Sequence, residues 1–194
     1  MIILDGDAVA TGTGVLDTGR SEHAVLFYRD QEELAGWVSE YLLPAIAGDG
    51  VAIVLATPDH RKSIERRLGR AAVDVAAARA GGSYVALDAR ETIRGIMVAD
   101  SPDPARFWQA VAPVLEQAAK AGQPVRVFGE MVALLWDMGL VNAAIEVEAM
   151  WNELAGQFPF SLLCAYPAQS HSCAHHLDAL TEVCRAHTEV IGGP

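Results

Sequence analysis

Residues 23–58, HAVLFYRDQEELAGWVSEYLLPAIAGDGVAIVLATP, decide the fold class. Within them, His23–Tyr28 and Val51–Ala56 are short and almost wholly apolar, which is typical of strands buried on both faces of a sheet. Asp30 and Glu33 have the spacing of a capping box, and the apolar residues that follow recur at helical intervals. This alternation of strand, helix and strand predicts a mainly parallel sheet wrapped by helices.

The same alternation continues along the rest of the chain. Three more apolar strands are predicted, at 84–88, 124–128 and 160–166. Helical stretches lie between them, and a last helix is expected over 171–190. The sequence therefore predicts an α/β fold with a mainly parallel sheet of about five to six strands flanked by helices. One domain is expected over 21–168, preceded by a flexible leader at 1–20 and followed by a C-terminal helix at 169–194 that packs on the same domain.

Composition and charge exclude several classes of protein. With 52% hydrophobic and 20% charged residues the chain can bury a core, so it is not disordered. A net charge of −11 argues against direct nucleic-acid or anionic-membrane binding, because both attract cationic surfaces. Neither a membrane helix nor a secretion signal is evident. The three cysteines cannot all pair with one another, so we expect reduced thiols in the cytoplasm.

Candidate ligand-binding residues follow the predicted strands, because ligands bind at the carboxyl ends of parallel strands. Tyr28, Glu130, Met131, Cys164 and Tyr166 stand at these ends. Glu130 is interpreted as a polar anchor for a ligand or as a carboxylate that caps the next helix. Tyr28 combines an apolar ring with a polar tip, which suits a semi-apolar pocket. Cys164 and Tyr166 alternate onto one face, and Cys164 is expected to line a pocket rather than to act as a nucleophile.

Three further candidates lie away from those strand ends. His23 begins the first strand, opposite Tyr28, which favours a structural role over ligand binding. Glu148 and Asn152 are four residues apart and therefore neighbours on one helix face. That face is interpreted either as solvated or as turned toward the ligand cleft. All three are kept as candidate ligand-binding residues.

A group of histidines and cysteines near the C-terminus has the residue types of a metal site. Its members are His171, Cys173, His175, His176, Cys184 and His187. All of them are expected on one helix and over both of its faces, whereas structural zinc usually takes ligand pairs from a loop and a helix. The sequence therefore predicts an amphipathic helix with incidental histidines and no metal site.

Charge is unevenly distributed along the chain. Between 127 and 184 there are seven acidic residues and no Lys or Arg, which suggests a surface for a basic partner. The basic residues gather in a patch made of His60, Arg61, Lys62, Arg66, Arg67 and Arg70. This patch is interpreted as a solvated helix face or as a docking surface for an acidic partner, because no nucleic-acid-binding motif accompanies it.

Four short motifs occur in order along the chain. They are His23-x-x-x-Phe27-Tyr28, Gly129-Glu130-Met131, Glu146-x-Glu148-x-x-x-Asn152 and Leu163-Cys164-x-Tyr166. As an ordered set over about 21–168 they resemble the MEDS family, sensory domains of methanogens and methylotrophs that include the repressor of dichloromethane dehalogenase. Val147 departs from the family pattern, which commonly has an aromatic residue there. The resemblance implies a RecA-like core without a working phosphate loop, sensing of small organic compounds, and output through kinase, anti-sigma or DNA-binding proteins.

The sequence thus predicts a cytoplasmic signal-sensing domain that binds a small organic ligand or a regulatory partner and controls a transcriptional or kinase-type output. Neither catalysis nor a cofactor is expected, and a homodimer is left open. Two alternatives remain. One is a RecA-like nucleotide-binding protein without hydrolysis, since the Gly-Lys-Ser/Thr of a phosphate loop is missing. The other is a small α/β enzyme that uses Glu130, although no Ser-His-Asp order or Gly-x-Ser-x-Gly motif supports it.

Overall fold

A parallel sheet of six strands forms the centre of the protein. The structure, a computed structural model, describes residues 22–120, 122–168 and 177–192. The strands are β1 (His23–Tyr28), β2 (Val51–Ala56), β3 (Tyr84–Asp88), β6 (Val125–Gly129), β7 (Ser161–Pro167) and β8 (Glu189–Ile191). They lie in the order β3-β2-β6-β7-β1-β8, and each neighbouring pair is parallel. A separate antiparallel pair joins β4 (Met97–Val98) to β5 (Ser101–Pro102).

Helices cover both faces of this sheet. They are α1 (Gln31–Ala47), α2 (Pro58–Arg70), α3 (Val75–Gly81), α4 (Ala89–Ile96), α5 (Pro104–Ala119), α6 (Met131–Asp137), α7 (Val141–Ala155) and α8 (Leu177–Ala186). The predicted α/β fold, with a mainly parallel sheet of about five to six strands, is confirmed; its RecA-like detail stays a prediction. Among the described residues, no helix has the length and apolar character needed to cross a bilayer.

Alternation along the strands divides the core between the two faces. In β1, Val25 and Phe27 point toward the face that carries α7 and α8, whereas Ala24 and Leu26 point toward the face that carries α1 and α2. All residues of β1 are buried, because a strand inside a parallel sheet is covered from both sides. This arrangement explains the continuous apolar run from which the strand was predicted.

The helical stretch between β6 and β7 is divided at Gly139 into α6 and α7. Gly139 has a φ of +77°, a conformation that glycine adopts without strain, and the chain turns there from α6 into α7. This break lets α7 start in a new direction across the sheet. Gly139 therefore helps to place Glu148, which lies midway along α7, over the neighbouring strands.

The prediction of a single helix over 171–190 is wrong at its C-terminal end. The helix α8 ends at Ala186, and β8 then pairs with Ala24–Leu26 at the edge of the sheet. Thr188 fastens this turn, since its backbone N–H donates to the carbonyl oxygen of His23 over 2.7 Å. A strand of three residues has no detectable period in sequence, so only this pairing defines it. The predicted leader at 1–20 and residues 169–176 lie outside the described residues.

Candidate functional site

The candidate residues form two groups in the structure. The first, the edge site, consists of Tyr28, Thr57, His60 and Glu130 at the carboxyl ends of the strands and their following turns. The second, the Glu148 cluster, lies between the sheet and the helices α7 and α8. Its members are His23, Glu148, Cys164, Tyr166 and His187.

Glu130 is the centre of the edge site. It directly follows β6 and is only 3% exposed. Its Oε2 accepts a hydrogen bond from the backbone N–H of Thr57 over 3.1 Å and lies 2.9 Å from Nδ1 of His60. The carboxylate thus stands at the N-terminus of α2, where the helix dipole favours a negative charge. The predicted capping of the helix that follows Glu130 is wrong, because its side chain makes no hydrogen bond to α6.

Negative charge dominates the electrostatics of the edge site. The hydrogen bond to Glu130 raises the pKa of His60 above its usual 6.5, although burial opposes the shift. Burial, together with the charges of Glu130 and Asp137, raises the pKa of Tyr28 so that its hydroxyl stays protonated. Met131, the remaining candidate at this end, is fully buried in the core on the face that carries α7. It therefore belongs to the core and is not exposed at the edge site.

Carboxylates also occupy two other helix N-termini that follow strands of the sheet. Asp30 accepts a hydrogen bond of 2.8 Å from a backbone N–H in the first turn of α1. Asp88 does the same in the first turn of α4, where it accepts two bonds of 2.9 and 3.0 Å. Backbone N–H groups at helix N-termini are the groups that bind phosphate. Here their partners are side chains of the protein itself.

Glu148 is the centre of the second group. It projects from α7 and is 1% exposed. Its Oε1 accepts a hydrogen bond from the hydroxyl of Tyr166 over 2.8 Å. Its Oε2 lies 3.2 Å from Nε2 of His23 and 3.4 Å from Sγ of Cys164. The interpretation of this helix face as solvated is therefore wrong for Glu148.

Two histidines complete the Glu148 cluster, and Nδ1 of each ring contacts an oxygen atom that is not part of the cluster. Nδ1 of His23 lies 2.8 Å from Oδ1 of Asn152, whose amide nitrogen in turn donates to the carbonyl oxygen of Ala186 over 3.4 Å. Nδ1 of His187 lies 2.6 Å from the carbonyl oxygen of Val183. Since these oxygens only accept hydrogen bonds, both Nδ1 atoms carry the proton and both Nε2 atoms face inward. The ring centroids of His23 and His187 are 4.0 Å apart.

Burial and the Glu148 charge set the protonation states of the cluster. Burial acts to raise the pKa of Glu148, but His187 and His23 outweigh it and hold that pKa well below its usual range. Burial also acts to lower the pKa of His187. The Glu148 carboxylate outweighs this effect, so the pKa of His187 is raised. Burial and the same carboxylate raise the pKa of the Cys164 thiol and of the Tyr166 hydroxyl. A protonated, fully buried thiol is not a nucleophile, in line with the expectation for Cys164.

The register of the sheet brings the cluster together. In the pairing of β1 with β7, His23 stands opposite Leu162 and Phe27 opposite Tyr166, so His23, Cys164 and Tyr166 share the face below α7. His23 is indeed far from the edge site, as its place in β1 predicts, but it contacts Cys164 at 3.4 Å. Asn152 is exposed and reaches the cluster only through its amide oxygen.

Sequence reasoning missed His60 and His187 as site residues. His60 was assigned to the basic patch, although its position two residues after Pro58, in the first turn of α2, could have signalled the edge site. His187 was assigned to the C-terminal histidine and cysteine group, of which His171, Cys173, His175 and His176 lie outside the described residues. Cys184, the remaining member, is half-buried and packs against the core below α7.

The basic patch is partly neutralised by acidic neighbours. Arg67 lies 3.0 Å from Glu32 in α1, and Arg61 lies 3.8 Å from Glu65 within α2. A surface cavity of about 290 Å³ lies between these helices. Its lining is Ser39, Glu40, Leu43, Arg67, Leu68, Arg70 and Ala71. None of these residues belongs to the edge site or the Glu148 cluster.

The family model for the methanogen/methylotroph, DcmR sensory domain, called MEDS, matches residues 22–188. This chain belongs to the MEDS family. The resemblance inferred from the four motifs is thereby confirmed. The match extends through α8 to residue 188, so the MEDS domain includes His187 as well as the three cluster residues on β1 and β7. The comparison with curated proteins finds no significant match.

Proposed function

We propose that this MEDS domain is a cytoplasmic signal sensor that binds a small organic ligand at the edge site and controls a regulatory partner. The observation that carries the proposal is the nearly buried carboxylate of Glu130 at the carboxyl ends of the strands, held by Thr57 and His60 beside Tyr28. A buried acid at this end of a parallel sheet suits a ligand anchor, because ligands of open α/β sheets bind there. Membership of a sensory family supports the same role.

The charge of the edge site favours an uncharged or cationic ligand. Glu130 supplies acceptor oxygens, Tyr28 supplies a protonated hydroxyl, and the apolar residues around them provide a semi-apolar wall. A phosphate would meet Asp30, Asp88 and Glu130 at three helix N-termini. At each of these N-termini a carboxylate already accepts from the backbone N–H groups and would repel a phosphate, so this pattern argues against the nucleotide alternative. A small α/β enzyme that uses Glu130 would gain no nucleophile from Cys164, because burial and Glu148 raise the pKa of its thiol.

The connection between the edge site and the rest of the MEDS domain runs along the chain. Glu130 stands directly before α6, Gly139 joins α6 to α7, and α7 carries Glu148, which contacts β1, β7 and the segment after α8. A ligand that favours one packing of α6 and α7 would therefore change the surface around α8. It can do so only to the extent that its affinity differs between the two packings. The partner that reads this surface is proposed to be a kinase, an anti-sigma protein or a DNA-binding protein.

Thermal-shift screening followed by calorimetry tests the proposal. We expect at least one small alcohol, ketone or halocarbon to stabilise the protein, and ATP with magnesium to have no effect. Glu130→Gln keeps the shape of the side chain but removes its charge, so it should abolish the ligand-induced shift. The matched control is Glu116→Gln, which changes an exposed carboxylate on α5 and should leave the shift intact. A shift with ATP, or an unchanged ligand shift in Glu130→Gln, would contradict the proposal.

A further inference from the structure

We propose that the Glu148 cluster is a binding site for one divalent transition-metal ion, with zinc as the best fit. The four ligand atoms are His23 Nε2, Glu148 Oε2, Cys164 Sγ and His187 Nε2. All four lie within 4.8 Å of one another, and all four residues are buried. The site is separate from the edge site, so the inference does not depend on the proposed function.

Four of the six distances between the ligand atoms are close to those of a tetrahedral site. The edge of a tetrahedron is about 1.6 times its centre-to-corner distance, so zinc bonds of roughly 2.0–2.3 Å place ligand atoms about 3.3–3.8 Å apart. Oε2 of Glu148 lies 3.2 Å from His23 Nε2, 3.4 Å from Cys164 Sγ and 3.5 Å from His187 Nε2. His23 Nε2 lies 3.4 Å from Cys164 Sγ. The nitrogen–oxygen separations are at or beyond the long end of hydrogen-bond distances, but they fit ligands around a common ion.

The outer contacts of both histidines are those of metal ligands. Metal-binding histidines almost always donate their other ring N–H to an oxygen of the protein, which fixes the ring and the tautomer. Asn152 Oδ1 performs this role for His23, and the Val183 carbonyl performs it for His187. Tyr166 likewise holds Oε1 of Glu148 and leaves Oε2 to face the histidines. The two Nδ1 atoms and Oε1 of Glu148, which do not face the proposed ion, therefore already have hydrogen-bond partners.

One inward-facing atom lacks a hydrogen bond. Nε2 of His187 has no hydrogen-bond partner among the described residues, although its side chain is fully buried. With Nδ1 protonated, a neutral imidazole points its Nε2 lone pair at the Glu148 carboxylate, and the same holds for His23. Two lone pairs facing a carboxylate repel it unless a cation lies between them. That cation is either a proton on an imidazole or a metal ion.

Ligand chemistry favours zinc over other cations. Two imidazoles, one thiolate and one carboxylate are all ordinary zinc ligands, whereas calcium and magnesium take oxygen ligands. On binding, the Cys164 thiol and the protonated imidazole each release a proton to solvent, so two protons leave as one divalent ion enters, and Cys164 coordinates as the thiolate. The charges of the thiolate and the carboxylate then balance the two positive charges of the ion, so a neutral complex replaces a buried ion pair. Four protein ligands close the coordination sphere, which is typical of structural rather than catalytic zinc.

A metal ion here would join distant parts of the chain. It would hold β1, β7 and α7 to the turn between α8 and β8, where His187 lies. Metal binding would therefore stabilise the C-terminal elements against the sheet, and metal loss would release them. This coupling gives the domain a second input, separate from a ligand at the edge site.

Cobalt substitution tests the site in the full chain. The protein is treated with a chelator and titrated with Co²⁺, whose tetrahedral thiolate complexes absorb strongly in the visible and show a thiolate charge-transfer band. We expect saturation at one Co²⁺ per chain and displacement by Zn²⁺. Cys164→Ser should abolish the charge-transfer band. Cys184→Ser, which changes the half-buried cysteine of α8, should retain it.

Two more variants separate the site from folding defects and from the C-terminal histidines. Asn152→Ala removes an exposed residue that holds His23 from outside, so it should fold and bind Co²⁺ roughly 10- to 100-fold more weakly with the same spectrum. Joint replacement of His171, Cys173, His175 and His176 should leave the spectrum unchanged. The proposal is overturned if neither ion binds, if the charge-transfer band survives Cys164→Ser, if Asn152→Ala binds with wild-type affinity, or if the joint replacement abolishes the band.

Discussion

Tyr166→Phe is the sharpest test of how the Glu148 cluster is held together. The substitution deletes the hydroxyl of Tyr166, which donates a hydrogen bond to Oε1 of Glu148 over 2.8 Å. Tyr166 is 0% exposed and Glu148 is 1% exposed, so water cannot replace the lost donor. The ring keeps its packing, since the centroids of Trp136 and Phe27 lie 5.6 and 6.1 Å from that of residue 166. The variant therefore removes the buried hydrogen bond that Tyr166 donates to a charged group.

The expected loss follows from the charge of the acceptor. Hydrogen bonds to charged groups contribute about 1.5–3 kcal/mol to stability, roughly twice the contribution of neutral ones. For a domain of this size, 1 kcal/mol corresponds to about 2–4 °C in Tm, so Tyr166→Phe should lower Tm by roughly 3–12 °C. Urea unfolding followed by circular dichroism, with a chelator present so that all samples are metal-free, measures the free energy of unfolding directly.

Tyr41→Phe is the matched control for this measurement. Tyr41 is also buried, but its hydroxyl has no hydrogen-bond partner among the described residues. The Arg126 guanidinium lies 5.3 Å from the ring centroid, and a phenylalanine retains that contact. Tyr41→Phe should therefore be neutral or slightly stabilising. If the two variants change the free energy of unfolding equally, the hydroxyl of Tyr166 does not hold Glu148 and the reasoning fails.

Three further predictions concern the edge site and the backbone. The pKa of His60 is raised in the folded protein. The stability that His60 contributes is therefore full below pH 6.5 and is lost as pH rises through the folded pKa. The free energies of unfolding of wild type and His60→Gln, measured by urea titration, should converge at high pH. Gly50→Ala would place its Cβ 2.7 Å from the carbonyl oxygen of Pro124, and should lower the free energy of unfolding by about 1–3 kcal/mol. Asp88→Ala removes the cap of α4 and should lower it by about 1 kcal/mol in the same assay.

Each of these predictions has its own control. For His60, a constant difference between the two proteins at all pH values would show that the hydrogen bond to Glu130 does not depend on a charged imidazole. Gly69→Ala in α2 has open space around the new methyl group and should stabilise the protein by about 0.5–1 kcal/mol, unlike Gly50→Ala. Asp88→Asn keeps an accepting oxygen, so it should retain most of the stability that Asp88→Ala loses.

Local patterns were sufficient for most of the fold. Continuous apolar runs predicted β1, β2 and the other central strands, because strands covered on both faces exclude polar residues along their whole length. Asp30 and Glu33 marked the start of α1, and the Asp30 side chain does accept the bond from Glu33. The edge strand β8 escaped prediction because three residues carry no period, and its pairing partner Ala24–Leu26 is some 165 positions away in sequence.

Prediction of the two sites was less complete. Alternation correctly placed Cys164 and Tyr166 on one face, and helical spacing correctly made Glu148 a neighbour of Asn152. The two residues that were missed are His60 and His187. His60 contacts Glu130, which is 70 positions away in sequence, and His187 lies near Glu148, which is 39 positions away. No local spacing connects such pairs, since strand register and helix placement decide which side chains meet.

The sequence by itself determined the α/β class, the family and the residue types available for binding. It did so because apolar periodicity and short ordered motifs are properties of neighbouring residues. Only the tertiary structure decided that those residues fall into two groups of contacting side chains rather than one. The β1–β7 register and the course of α7 bring Glu148 under the sheet to His23 and Cys164, while β6 and α2 bring Glu130 to His60 at the strand ends. The partners that meet there outweigh burial and set the pKa shifts of Glu148, His187 and His60, which no local pattern encodes.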